Sequence, residues 1–223
     1  LAAARRGECD LAGIHLLDPD TDQYNLPFLE PGMSLLRGYS RMQGIVFRPD
    51  DARFMDKGPQ EAIAAALTDP NCYMVNRNRG SGTRVLIDRL LSALSAEASG
   101  AGRRAAAADR DRRRAGRGNG LGEGCEPARP PGYWVEVKSH NAVVAAVAQG
   151  RADWGVAIEP VARELRLGFI PLREERFDFI VPTQRLERPA VGEFRQLLKD
   201  PGTRRALAQK GLMPDEQMGE LIG

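Results

Sequence analysis

The sequence predicts an α/β chain built as two equivalent lobes. Short apolar stretches of strand character alternate with stretches of helical spacing along most of the chain, the pattern of a largely parallel sheet covered by helices. One pattern also occurs twice: Gly7-Glu-Cys-Asp10-Leu-Ala-Gly-Ile14 and Gly150-Arg-Ala-Asp153-Trp-Gly-Val-Ala157. Each copy is a helix end, a Gly, two residues, an Asp and then a strand carrying small residues. The Gly suits the positive φ at a helix C-terminus, and the Asp suits a capping and strand-entry role. The copies stand in opposite halves of the 223 residues, too far apart for a solenoid repeat, so two lobes are the simpler account.

The elements follow in order. Leu1 to Arg6 reads as the last turns of a helix closed by Gly7. Cys9 to Leu16 reads as a buried strand, and residues 18–32, rich in Asp, Pro and Asn, as a surface loop. Met33 to Arg37 and Gly44 to Arg48 are apolar enough for two strands. Pro59 to Leu67 starts a helix, Cys72 to Asn76 is a strand, residues 78–83 a turn. Arg84 to Ala96 is a helix with Val85, Leu86, Leu90, Leu91 and Leu94 on one face. Periodicity is lost over residues 99–132, which hold Ala, Gly and Arg with no aromatic side chain. Too little apolar surface is available there to offset the entropy of ordering, so residues 100–131 are expected to lack fixed structure, as a solvated insert. Strands are then expected at Tyr133 to Lys138, Asp153 to Ala157, Phe169 to Leu172 and Phe177 to Pro182. Helices are expected at Asn141 to Gln149, Val161 to Leu165, Val191 to Leu198 and Gly202 to Gln209. Trp134 and Trp154 both fall in strands and are expected in the core.

Composition excludes several classes. Hydrophobic residues make up 42% and charged residues 28%, which rules out collagen, coiled coil and wholesale disorder. The longest apolar run, Ala142 to Ala148, is far short of the about 20 residues a membrane helix needs. The net charge is +2, but residues 101–132 hold eight Arg and four acids, so the rest of the chain is slightly acidic. A nucleic-acid-binding fold is therefore not indicated. The three Cys (Cys9, Cys72, Cys125) have no metal-ligand spacing and no even pairing, which points to a reducing, cytoplasmic compartment. The chain begins inside a helix end without a Met, so residues are expected to precede it.

Two candidate sites stand at helix starts. Arg79-Gly80-Ser81-Gly82-Thr83-Arg84 follows a strand and opens a helix. Its glycines allow a tight turn that aims several N–H groups one way, and a helix N-terminus carries partial positive charge, so the turn suits an anion. Ser81 and Thr83 add hydroxyl donors, and Arg77, Arg79 or Arg84 could add a fork of N–H groups. It is not a Walker loop, because the GK[ST] element is absent. Ser139-His140-Asn141 opens the second helix, with Ser139 or Asn141 as the natural N-cap. His15 falls at the carboxyl end of the first strand, where ligands bind in open α/β sheets. Two His without paired acids at ligand spacing argue against a metal. No nucleophile–base constellation stands out, so neither catalysis nor a cofactor is expected. Glu174, Glu175 and Asp178 lie among Arg173 and Arg176 and read as solvated salt bridges.

Taken together, these segments resemble the type 2 periplasmic-binding-protein fold. More narrowly, they resemble the periplasmic-binding-protein-like domain found at the C-terminus of some molybdopterin molybdotransferases and beside helix-turn-helix modules. The resemblance rests on Ala12 to Asp18 with Tyr24-Asn25-Leu26-Pro27, on Val75 to Arg84, on Ser139-His140 leading into Ala142 to Ala148, on Gly150 to Ala157, and on Ile170 to Asp178. It implies mixed, mostly parallel sheets and two interlobe crossovers, near Arg41 to Phe47 and near Glu175 to Val181. Lobe one is then residues 1–43 with 178–223, short of the family's first strand and helix, and lobe two is residues 44–177. The ligand sits in the cleft between them, with His15 and His140 facing it. For function the resemblance implies a cytoplasmic domain that binds or senses a small oxyanion such as molybdate or tungstate, linked to molybdenum-cofactor metabolism. The alternatives are the effector domain of a transcription regulator, touching nucleic acid only through a separate module, and a non-catalytic appendage of a molybdopterin biosynthesis enzyme.

Overall fold

A computed structural model describes residues 1–18, 20–110 and 128–222. Its organising element is an antiparallel ribbon of two strands, β2 (Met33–Phe47) and β6 (Gly168–Pro182), each of 15 residues. They pair from Met33↔Pro182 to Phe47↔Gly168, with register shifts between Leu36 and Tyr39 and between Gln43 and Gly44. The expectation was four short strands here, because polar stretches (Tyr39 to Gln43, Arg173 to Arg176) interrupt the apolar ones. Those polar stretches pair with each other across the ribbon, so the backbone ladder continues through them.

Structure is added at both ends of the ribbon. At one end β1 (Ala12–Ile14) pairs with β6, and β7 (Met213–Pro214) and β8 (Leu221–Ile222) pair with β2. Helices α1 (Ala2–Arg5), α6 (Pro189–Lys199) and α7 (Pro201–Gln209) pack there. At the other end β5 (Trp154–Ile158) pairs with β2, β3 (Met74–Arg77) lies parallel to β5, and β4 (Glu136–Val137) lies parallel to β3. Helices α2 (Pro59–Thr68), α3 (Gly82–Arg110), α4 (His140–Ala148) and α5 (Glu159–Glu164) belong to this end. The core divides the same way. Leu36, Val181, Val191, Leu198 and Met218, with Ala4, Ile14, Leu35 and Ile180, fill the first end. Two clusters that include Phe54, Met74 and Trp154, and Val46, Val75 and Val143, fill the second. The fold is thus α/β with a mixed sheet. Antiparallel pairs outnumber parallel ones, contrary to the mostly parallel expectation, because both long strands pair antiparallel with every neighbour they have.

The sequence echo is an echo in structure. Gly7 and Gly150 have φ of +69° and +68°. In each, the Gly N–H donates three residues back and the next N–H five residues back: Gly7 to Ala4 O and Glu8 to Ala3 O, Gly150 to Val147 O and Arg151 to Ala146 O. Both helices therefore end in a Schellman cap. Asp10 accepts from Arg185 and Arg188, and Asp153 from Arg48, Arg53 and the Tyr73 N–H. Both Asp are anchors of the fold, as expected.

Four further expectations are corrected. Helix α3 overruns its expected end at Ala96 and continues to Arg110. Ala and Arg are among the strongest helix formers, so a helix already nucleated by its apolar face propagates through them. Residues 100–110 of the expected insert are thus helical, and residues 111–127 lie outside the described ones. At the far end of that insert Pro130 is buried and Pro131 O accepts from Met74 N. The strand expected at Tyr133 to Lys138 shrinks to two residues, and Trp134 is exposed, with Arg79 and Arg129 over its ring; Trp154 is in the core. None of the helices is long and apolar enough to cross a membrane among the described residues.

The first register shift is built on Gly38, where a Cβ would stand 2.0 Å from Phe177 O. Gly38→Ala is expected to destabilise the protein by about 2–4 kcal/mol, since neither strand backbone can yield without breaking the ladder. Gly192 lies inside α6 with nothing near its Cβ position, so Gly192→Ala is expected to stabilise by roughly 0.5–1 kcal/mol. Urea unfolding reads both; a Gly38→Ala midpoint equal to the parent's removes the steric account of the bulge.

Candidate functional site

The polar middle of the ribbon, which the sequence assigned to solvent, is the centre of the candidate site. Tyr39, Arg41 and Gln43 alternate along β2 and face Phe177, Glu175 and Arg173 of β6 across the pairing. Directly paired residues share a sheet face. Glu175 is fully buried. Its carboxylate accepts from Arg41 Nε at 2.5 Å and lies 3.1 Å from His15 Nδ1. His15 extends past β1 and stacks on Phe177 at 5.6 Å, and Phe177 stacks in turn on Tyr39 at 5.3 Å. Burial alone would raise the Glu175 pKa. The His15 hydrogen bond and the Arg41 charge outweigh it, and the carboxyl is held below its ordinary range.

Two helix starts reach this centre. A Cβ on Gly82, the first residue of α3, would meet His15 O at 3.2 Å and Glu175 Oε1 at 3.8 Å. Thr83 is buried with its hydroxyl unpartnered. Arg77, at the end of β3, is buried; its Nη2 donates to Lys138 O, while Nε and Nη1 have no partner among the described residues. Burial lowers its pKa, with the Glu175 charge opposing and the Arg41 charge adding to the effect. His140, the first residue of α4, is buried with both ring nitrogens unpartnered. Burial, reinforced by the Arg77 charge, pushes its pKa down to about 3, so the imidazole is neutral. Gln43 is also buried, with neither amide atom bonded.

The structure thus separates the residues expected at the site. His15 and Gly82 meet Glu175, and Arg77 and His140 lie within reach of its charge; Thr83 follows Gly82 and is buried with its hydroxyl unpartnered among the described residues. Ser81 does not offer a free donor: its hydroxyl donates to Asn78 O and accepts from Arg84 N, as a cap of α3. Gly80 supplies the turn, with φ of +84°. Arg84 is committed to Asp88 and Glu136 and lies over the Tyr133 ring. Arg79 is exposed over Trp134. Ser139 caps α4 by accepting from Ala142 N, and Asn141 faces solvent. Sequence reasoning missed Arg41, Gln43 and Glu175. It also missed Asp178, a buried carboxylate that accepts from the Gly38 N–H and from Asn25 Nδ2 and so ties the 18–32 loop to the ribbon. The signal was available: charged residues inside segments expected to cross between lobes must lose solvent.

The model of the PBP superfamily domain matches residues 1–199, and the chain belongs to that family. Among curated proteins it is similar to YvgK of Bacillus subtilis, described as uncharacterised, with 28% identity over 178 residues, which is 79% of this chain and 47% of YvgK. It is also 33% identical over 67 residues to a protein of the ferredoxin 2Fe-2S gene 5′ region of Clostridium pasteurianum, covering 30% of this chain and 59% of that one. The match to YvgK therefore spans about half of that relative. Among solved structures, an OxyR cysteine mutant from Corynebacterium glutamicum superposes with a TM-score of 0.51 at 15% identity, over 94% of this chain and 51% of that one. An ABC-type phosphate transport receptor from Vibrio cholerae gives 0.51 at 11% identity over 95% and 82%. The ancestral amino acid-binding protein AncCDT-1 gives 0.53 at 15% over 94% and 72%. These likenesses show the fold.

The pH response follows from His140. Its folded pKa of about 3 lies below the ordinary 6.5, so the unfolded chain takes up the proton first as pH falls. Stability is full above about pH 6.5 and declines toward pH 3, at up to about 1.4 kcal/mol per pH unit for this one group. Between pH 6.5 and 5 few carboxylates titrate, so His140→Phe is expected to flatten the decline there. The check is the urea midpoint against pH; parallel curves for parent and variant would show that the imidazole is not the group responsible.

Proposed function

We propose that this chain is a cytoplasmic, non-catalytic binding domain that receives a small anion between residues 1–43 with 178–223 on one side and residues 44–177 on the other. One observation carries the reading: Arg77 is a buried cation without a carboxylate partner among the described residues. Glu175 is already hydrogen-bonded by Arg41 and His15, so the two Arg exceed the one acid. A buried, uncompensated charge is costly, and an anionic ligand removes that penalty. The unpartnered atoms of Thr83, His140 and Gln43 and the opening N–H groups of α3 are further groups for it to meet. Neutral His140 contributes a hydrogen bond instead of charge. Molybdate and tungstate are the compact oxyanions in view, and the molybdenum-cofactor link is their natural setting.

A second reading is the effector domain of a transcription regulator. It is favoured by the fit of nearly all of this chain to about half of an OxyR chain. Both readings place the ligand at the same residues.

Calorimetric titration with molybdate, tungstate, sulfate and phosphate tests the site. At least one is expected to bind. Arg77→Met and Thr83→Val are expected to weaken it about 10- to 150-fold, the loss of one charge-assisted bond or of one desolvated donor. Arg79→Ala and Asn141→Ala are expected to stay within about threefold, since neither side chain reaches the centre. If no oxyanion binds, the ligand is an organic anion; if the Arg77 and Thr83 variants bind as the parent does, the site lies elsewhere.

A further inference from the structure

Between its pairing with β7 at Tyr39–Ser40 and its pairing with β5 from Gln43 onward, β2 has an edge that no strand of the described residues pairs with. A cavity of about 530 Å³ opens beside it. Its floor is Tyr39 and Arg41 of the ribbon. One wall is Ile158, Pro160 and Arg163, where β5 passes into α5; the other is Lys210 and Leu212, after α7. Gly211 brings the two walls together, its Cβ position 3.6 Å from Pro160 Cγ.

We propose that this cavity is a second binding site, for an organic anion with an aromatic or heterocyclic body. The volume lies within the range of small-molecule sites, about 300–1,000 Å³, and far exceeds a bare oxyanion. The tyrosine ring, Ile158, Pro160 and Leu212 suit a flat apolar body. Arg41, Arg163 and Lys210 suit an acidic group, against the single carboxylate of Glu164 in the lining. Arg163 is partly committed to Glu159, and of Arg41 only Nε is hydrogen-bonded, to Glu175. Arg41 lines the cavity, and its two terminal nitrogens, without a hydrogen-bond partner among the described residues, are available as a fork to a carboxylate or phosphate.

Arg41 and Tyr39 also belong to the first site. The hydrogen-bonded series Arg41–Glu175–His15 and the stacked series Tyr39–Phe177–His15 both run from the cavity to His15. A ligand that draws on the Arg41 guanidinium alters its hold on Glu175, so the two sites are energetically linked, and the linkage is reciprocal. That linkage, unlike the second site itself, rests on the function proposed above.

The test uses phenyl phosphate and benzoate as probes, with binding followed by calorimetry. Leu212→Trp fills the cavity from its wall, and Lys210→Ala removes a cation at its rim. Neither residue touches the first site. At least one probe is expected to bind the parent, and both variants are expected to weaken it at least tenfold while thermal unfolding stays unchanged. Arg77→Met is expected to leave that probe bound. No binding by either probe at millimolar concentration overturns the proposal. So does binding that Arg77→Met abolishes and Leu212→Trp does not, since the probe then occupies the first site. An oxyanion titration on the same samples reads the first site separately, so failure of one reading does not mimic failure of the other.

Discussion

The structure depends on one buried ion pair. Arg41 and Glu175 are directly opposite each other in the middle of the ribbon, where neither end's hydrophobic core reaches. At this pair the strands are not held by apolar burial, and a one-residue slip would put Arg41 and Glu175 on opposite faces of the ribbon. The pair fixes the register that the bulges at either side make possible. It also sets the position of His15, and through it the approach of Gly82 at the start of α3. Removing Glu175 would leave Arg41 buried without its acid, a penalty of about 3–5 kcal/mol, comparable to a large core truncation.

The same geometry explains why unpaired groups persist around it. A buried donor without a partner costs roughly 1–3 kcal/mol, and Arg77, Thr83, His140 and Gln43 together present several. A chain selected for stability alone would pair them or replace them with aliphatic residues. The charge balance points the same way. Glu175 holds the Arg41 charge, while the Arg77 charge is left over and depresses the neighbouring imidazole. The arrangement is incomplete in charge as well as in hydrogen bonding: the charge deficit and the unpartnered Arg77 donors are of the sign that an anion corrects, while Gln43 Oε1 and one nitrogen of neutral His140 are acceptors.

Much of the scaffold was legible in the sequence, and less of the site. The caps at Gly7 and Gly150 and most helices follow from local rules, and local rules act within a few residues. The strand pattern failed where the partner decided the outcome. Residues 38–43 and 173–176 look like loops because their hydrophobicity is low, yet each is the other's ladder partner. Arg84 and Ser81 were read as donors to a ligand; their true partners, Asp88, Glu136 and Asn78, depend on the path of the turn and on where β4 lies. Arg77 was one of three equivalent Arg in the sequence. Arg77 and Arg84 are both buried, and only packing distinguishes Arg77, which has no acid partner among the described residues, from Arg84, which pairs with Asp88 and Glu136, and from Arg79, which is exposed.

The duplicated motif and the ribbon divide the work between them. In both copies the Asp is clamped by two Arg from other elements, Arg185 and Arg188 in one, Arg48 and Arg53 in the other. An acid saturated in this way is a poor ligand group, and its repetition at both ends marks it as the device that docks each helix–strand unit. The two copies can agree because they do the same structural task. The middle of the ribbon is not a copy of either end, since it sets a buried Arg41 against a buried Glu175 across the two strands and leaves the Gln43 amide unbonded among the described residues. The candidate site proposed for this chain is centred there, on residues that obey no helix or strand pattern.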